Sequence, residues 1–139
     1  MMEVAFVYVI SAKVDDDQWP RPFYKIGFSI NPHWRLSELG IKNAAVELEK
    51  IAPCHYSHRV RLEKLAHTQC EKFWVHPSLV YSLLETKAGN SEWFYFKDSR
   101  DALGFQSWWK YEFTEMARRS FGSFVFESLQ ESLDLFLES

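Results

Sequence analysis

The spacing of apolar and polar positions changes period several times along the chain, and each change marks an element. Val4 to Ile10 is rich in β-branched and aromatic residues and predicts a first strand. A polar stretch follows, Ser11 to Arg21, with three aspartates and Pro20; with Pro22 just beyond, it predicts a loop. From Phe23 to Phe28, Tyr24, Ile26 and Phe28 alternate with Lys25 and Gly27, a period of two that predicts a second strand. Asn31 then offers an N-cap, Pro32 a first-turn residue and Gly40 a stop, which predicts a short helix carrying Arg35. Val46 to Ala52 predicts a third strand, ended by Pro53.

The second half is mostly helical in pattern. His58 to Trp74 predicts a longer helix, with Leu62, Leu65, Ala66, Cys70 and Phe73 along one face. Pro77 and Ser78 open another, carrying Leu79, Val80, Leu83 and Leu84. Lys87-Ala88-Gly89-Asn90 predicts a turn into a short aromatic strand, Glu92 to Phe96. Two helices close the chain. Phe105, Trp108, Trp109, Phe113 and Met116 mark the first. Phe121, Phe124, Val125, Leu129, Leu133, Phe136 and Leu137 mark the second, whose opposite face holds Glu127, Glu131, Asp134 and Glu138 as a solvated acidic surface.

Composition narrows the class. The chain has 139 residues, 47% hydrophobic and 17% aromatic, enough for one generous core and not two. No stretch approaches the roughly 18–20 apolar residues that cross a bilayer. The run Val4 to Ile10 has no basic residues before it and no small-residue cleavage site after it, so it reads as a strand and not a signal peptide. Cys54 and Cys70 lack metal-type spacing; without an export signal they are expected to be reduced, buried thiols in a cytoplasmic protein.

The net charge of −3 argues against a strongly basic nucleic-acid binder, but its distribution softens the objection. Residues 1–98 hold 12 Lys or Arg and 12 Asp or Glu, so the whole excess of negative charge lies in residues 99–139. Four histidines and four basic residues crowd into His55 to His76 against two glutamates, a local positive patch or an ordinary solvated helix face. Asp15-Asp16-Asp17 is a solvated turn in preference to a metal cluster, since consecutive side chains diverge in a loop.

The candidate chemistry lies in the hairpin and the helix after it. Val7-Tyr8-Val9, Tyr24-Lys25-Ile26-Gly27 and Asn31-Pro32-His33-Trp34-Arg35 bring a phenol, an amine, a glycine and a guanidinium into one neighbourhood. These pieces, with Phe28-Ser29, Glu63 and His67, and Glu92-Trp93-Phe94, resemble in order and spacing the GIY-YIG nuclease superfamily. The likeness is to the phage-type branch that writes its second motif Tyr-Lys-Ile-Gly, and it covers roughly Val4 to Phe96.

The resemblance implies an α+β fold: a small mixed three-stranded sheet flanked by helices in residues 1–98, with a C-terminal helical extension, 99–139, packed on the same domain. It implies a metal-dependent endonuclease that hydrolyses DNA phosphodiester bonds with one divalent cation, Mg²⁺ or Mn²⁺, in a phage, mobile-element or repair setting. Tyr8 stands at the first-motif tyrosine, Lys25 where most members have the second-motif tyrosine, Arg35 at the helix arginine and Glu63 at the metal-binding glutamate. Tyr24, Gly27, His33, His67 and Glu92 are supporting or substrate-binding candidates. The partner implied is nucleic acid, DNA before RNA; no membrane is involved, and the C-terminal aromatic helices pack back on the sheet or form a homodimer surface.

Each role has a chemical reason. Arg35 offers forked donors to phosphoryl oxygens. A hard cation on Glu63 and waters stabilises the departing 3′ oxygen. Tyr8 takes the proton of the attacking water if its phenol is ionised, which an ammonium at Lys25 favours. Gly27 allows substrate to approach the strand closely.

Each residue also has a plain structural reading. Tyr8 is then a packing residue, Lys25 and Arg35 surface charges, and Glu63 with His67 a helix pair four apart. Glu63, however, lies beside Ala66 and Cys70 at the edge of the buried face, where an unpaired carboxylate is costly. Glu92 is expected to anchor the arginine helix. The sequence departs from the family pattern in two places. The hairpin loop is enlarged and either contacts nucleic acid through Lys13, Trp19 and Arg21 or only decorates the fold. Leu39 stands four after Arg35 where many members have a tyrosine or histidine, so that part of the site is either absent or supplied by another residue such as His33. A module with the same fold that binds nucleic acid or a protein without cutting is the alternative function.

Overall fold

The computed structural model describes residues 3–86 and 92–122. Four strands, β1 (Val4–Val14), β2 (Phe23–Ser29), β3 (Ala44–His55) and β4 (Trp93–Tyr95), form one sheet in the order β3-β1-β2-β4. Every pairing is antiparallel. The α+β class stands, but the expected mixed three-stranded sheet is corrected to an all-antiparallel one of four, because the short aromatic strand pairs Trp93 with Lys25 and Tyr95 with Phe23.

β1 runs four residues past its expected end at Ile10. Ser11 and Lys13 look like loop, yet Ala12 and Val14 continue the alternation and are buried. β3 likewise passes through Pro53 to His55. It is an edge strand, so a proline that donates no hydrogen bond is tolerated there. A register shift between Val9 and Ile10 leaves Glu49 as an extra residue on β3, and its carboxylate accepts from Ser11 Oγ at 2.6 Å.

Helix α1 (Pro32–Glu38) has the expected start and stop. The Asn31 side chain accepts from the Trp34 amide at 3.2 Å, and Gly40 closes the turn at φ 61°. α2 (Arg59–Gln69) is shorter than the expected His58–Trp74 helix: the chain breaks at Cys70 into a 3₁₀ turn, Glu71–Phe73, which carries Trp74 and Val75 across to pair with β4. α3 (Pro77–Leu84) follows. Ser99–Arg119 is a continuous helix, α4 (Ser99–Trp108) and α5 (Thr114–Arg119) joined by a π turn at Trp109–Phe113. The expected turn at Lys87–Asn90 and most of the last expected helix lie outside the described residues.

The sheet is covered on both faces. Val7, Val9 and Ile26 pack with Leu62 and Ala66 of α2 and with Ala102, Phe105, Trp109, Phe113 and Ala117. Tyr8, Ile10 and Phe23 pack on the other face with Leu36, Leu39, Val80 and Leu84. Trp19 from the enlarged loop is half-buried against Phe23 and Tyr95, at ring distances of 5.2 and 5.0 Å, so this residue is a core plug and not an exposed finger. Both cysteines are free and buried, and burial pushes the thiols up to about 11 for Cys54 and about 12 for Cys70. Among the described residues no helix is long and apolar enough to cross a membrane.

Because the rings of Trp109 and Phe113 lie 4.4 Å apart against β1 and β2, the 99–119 helix belongs to the central core. Phe113→Ala should cost about 3–5 kcal/mol. Urea unfolding measures it, and a loss below about 1 kcal/mol would show that this helix is an appendage.

Candidate functional site

Register decides which side chains meet. Tyr8 sits opposite Gly27 across the β1–β2 ladder, and Ile10 opposite Lys25, so phenol and amine leave the same face of the sheet. The phenol lies over Gly27: a Cβ there would come within 2.5 Å of the Tyr8 hydroxyl and 2.7 Å of its ring carbon Cζ. Gly27 therefore makes room for Tyr8, a different reason for glycine from the substrate approach expected above. The phenolic oxygen accepts a hydrogen bond from Arg35, which α1 lowers onto this face from its second turn.

Lys25 is fully buried and its ammonium binds the Glu92 carboxylate. Glu92 was expected to hold the arginine helix; it instead holds the lysine of β2, while its own carbonyl accepts from the Ile26 amide at 3.3 Å. The cation on the Tyr8 phenol is consequently Arg35 and not Lys25. Burial lowers the Lys25 pKa, with Glu92 opposing that shift.

Glu63 comes from α2 on the opposite face, yet reaches the same cluster because β4 covers only Phe23 to Lys25. Beyond that point the outer edge of β2 is open, and α2 closes it. Glu63 accepts from the Phe28 backbone N–H, and His67 donates Nε2–H to the Ile26 carbonyl at 2.8 Å. The carbonyl can only accept, which fixes the proton on His67 Nε2. That nitrogen is also 3.7 Å from Glu63 Oε1. The Glu63 side chain is 14% exposed. Burial raises its pKa to about 7, with Glu92 adding to the rise and Lys25 opposing it. Burial also pushes the Tyr8 phenol up to about 12; Arg35 pulls it down while Glu92 and Glu63 push it up.

Tyr8, Lys25, Arg35, Glu63 and Glu92 thus form one electrostatically coupled group, with Gly27 and His67 as its supports. Tyr24 lies on the other face, 5.7 Å from the Phe96 ring, and belongs to packing. His33 is exposed in the first turn of α1, two residues before Arg35 and therefore on another side of the helix. Leu39 is buried in the core beside Leu36 and Tyr8. The backbone groups of Ile26 and Phe28 were not foreseen; the signal for them was that a strand longer than its partner leaves edge groups to satisfy.

Residues 5–110 match the T5orf172 domain. The chain belongs to that family. T5orf172 is a phage-associated domain of the GIY-YIG-like nuclease superfamily, and membership points to a nuclease-like or nucleic-acid-binding function. No curated protein and no solved structure gives a significant match.

Two measurements probe this geometry. Gly27→Ala should cost about 1–3 kcal/mol by overpacking, and most of that cost should vanish in a Tyr8→Ala background, so a double-mutant cycle with no coupling would dissociate the two residues. Glu63 favours its protonated form in the folded chain, so stability should fall as pH rises from about 4.5 to about 7 and stay low above that. In EDTA, Glu63→Gln should melt higher than the parent at about pH 8, with the gain gone by about pH 4; equal melting temperatures at both would refute the shift.

Proposed function

We propose that this T5orf172 domain is a metal-dependent endonuclease that hydrolyses nucleic-acid phosphodiester bonds, DNA being the expected substrate, and that Tyr-Lys-Ile-Gly is its second motif. The observation that supports this most is the meeting of the Tyr8–Arg35 pair with Glu63 at the open edge of β2, three residues from three elements.

Arg35 keeps donors beyond the one given to Tyr8, and in this reading they bind the nonbridging oxygens of the scissile phosphate. Glu63 fits a hard cation. Its charge is raised in energy by burial and by Glu92, and Lys25, the cation that opposes this rise, is committed to Glu92. Mg²⁺ and Mn²⁺ characteristically bind few carboxylates and several waters, so in this reading one carboxylate at Glu63 suffices to hold the ion. When bound, such an ion supplies positive charge at the departing 3′ oxygen. Lys25 positions Glu92 and keeps this carboxylate from leaving β2; it does not touch the phenol. Tyr8 accepts the proton of the attacking water. With its phenol at about 12, little of it is ionised at neutral pH, so the rate should be limited by its ionised fraction.

Pure protein with supercoiled plasmid and Mg²⁺ or Mn²⁺ should give nicks that EDTA abolishes. Arg35→Ala and Glu63→Ala should each lower the rate by about 10²–10³, and nicking retained in either variant would refute the assignment. Above the titration of Glu63, the rate should rise about tenfold per pH unit between about pH 8 and 9.5, and Tyr8→Phe should remove about 10²–10⁴ of the rate together with that slope. A flat profile in the parent would take Tyr8 out of the base role. Salt-sensitive gel shift without any cutting would favour the alternative, a module that binds nucleic acid.

A further inference from the structure

Two open cavities flank Trp74, which pairs with Phe94 at the outer edge of β4. The first, about 210 Å³, begins at His67 and is walled by Phe94 and Trp74. The second, about 430 Å³, is lined by the same Trp74 with Lys72, Lys97, Trp19 and Tyr95. Trp74 lines both, and a strand lying across its exposed ring would run from one into the other along a groove that starts at His67, the residue that bonds the Ile26 carbonyl beside Glu63. The larger cavity alone falls in the ordinary range for a bound small molecule or nucleotide, about 300–1,000 Å³.

The walls have a definite chemistry. Trp74 is 46% exposed and its ring stands 5.9 Å from that of His76. Lys72 and Lys97 are both exposed, and Asp101 is the carboxylate opposite them in the larger cavity, with Glu71 in the smaller. Exposed indole surface in the same cavity as ammonium groups suits nucleotides whose bases are unstacked; a duplex keeps its base faces inside and offers such a groove only its backbone.

We propose that this groove binds a single-stranded flank of the nucleic-acid substrate, with a base stacked on Trp74 and phosphates at Lys72 and Lys97. The direction of the strand, away from a phosphate held at Arg35, rests on the nuclease reading; binding in the groove does not. The domain on this view prefers substrates with an unpaired segment beside the scissile bond over continuous duplex.

Fluorescence anisotropy tests it, with Glu63→Gln as the parent to suppress cleavage and labelled oligonucleotides as probes: a single strand of about 12 nucleotides, a blunt duplex, and the duplex with a single-stranded overhang. The overhang should tighten binding about tenfold over the blunt duplex, and Trp74→Ala should remove that advantage while Trp74→Phe keeps most of it. Lys72→Gln with Lys97→Gln should reduce the slope of log affinity against log salt for the single strand by roughly 1.4, two phosphate contacts at about 0.7 each. Circular dichroism establishes that each variant is folded. Unchanged overhang preference in folded Trp74→Ala, or an unchanged salt slope in the lysine variant, would overturn the groove even if the unsubstituted protein nicks plasmid. Trp74-dependent binding by a protein that never nicks would uphold the groove and remove the nuclease reading.

Discussion

A lysine ammonium with no exposure to water, in the middle of a strand, imposes the first constraint on this molecule. Lys25 cannot stay charged there without a carboxylate, and removing one member of such a pair costs several kcal/mol because the other is left uncompensated. Glu92 is that carboxylate, and satisfying Lys25 fixes where the chain re-enters the sheet: Glu92 beside Ile26, then Trp93 opposite Lys25. The same carboxylate now stands close enough to Glu63 and Tyr8 to push both toward their protonated forms. One ion pair therefore joins the fourth strand and sets the charge of the site.

The brevity of β4 is the second determinant. It spans only Trp93 to Tyr95, so β2 emerges beyond it with unpaired edge groups, and buried or half-buried edge groups need partners. α2 supplies them with side chains: His67 to the Ile26 carbonyl and Glu63 to the Phe28 amide. In doing so a helix that packs on one face of the sheet delivers a carboxylate to residues that leave the other face. Gly27, between those two edge contacts, lets the Tyr8 phenol lie across the strand toward Arg35. Local sheet chemistry and site assembly are the same set of contacts.

How much was legible follows from which interactions are local. Asn31, Pro32 and Gly40 announce α1 because caps are read within one turn, and the period of two from Phe23 to Phe28 places Lys25 and Gly27 on one side of a strand. The parity of β2 also held an unused clue: Lys25 falls on the same face as buried Phe23, which demands a partner carboxylate. What the pattern lacked was pairing. Nothing in Glu92-Trp93-Phe94 says that it will join β2, so Glu92 was matched to the arginine helix and not to the lysine of β2, and the sheet was given three strands. The break at Cys70 was hidden for a similar reason, since the apolar period persists through Phe73 while the backbone turns so that Trp74 and Val75 can pair with β4. Gly27 was assigned to substrate when its neighbour is Tyr8, a contact fixed only by cross-strand register.

The acidic balance of the chain bears on the proposed nucleic-acid ligand through where the charges lie. Nucleic acid is attracted by local potential more than by total charge. Along the sequence the excess negative charge lies in residues 99–139 and residues 1–98 are balanced; Lys72 and Lys97 line the larger cavity together with Asp101, and Glu71 lines the smaller. The 3₁₀ turn that carries Lys72 exists because the chain must swing Trp74 and Val75 onto the edge of β4. Closing the sheet and presenting the exposed Trp74 ring next to Lys72 are thus two outcomes of one backbone detour, which is how the contacts that complete the fold also expose the aromatic surface on which the proposed strand would stack.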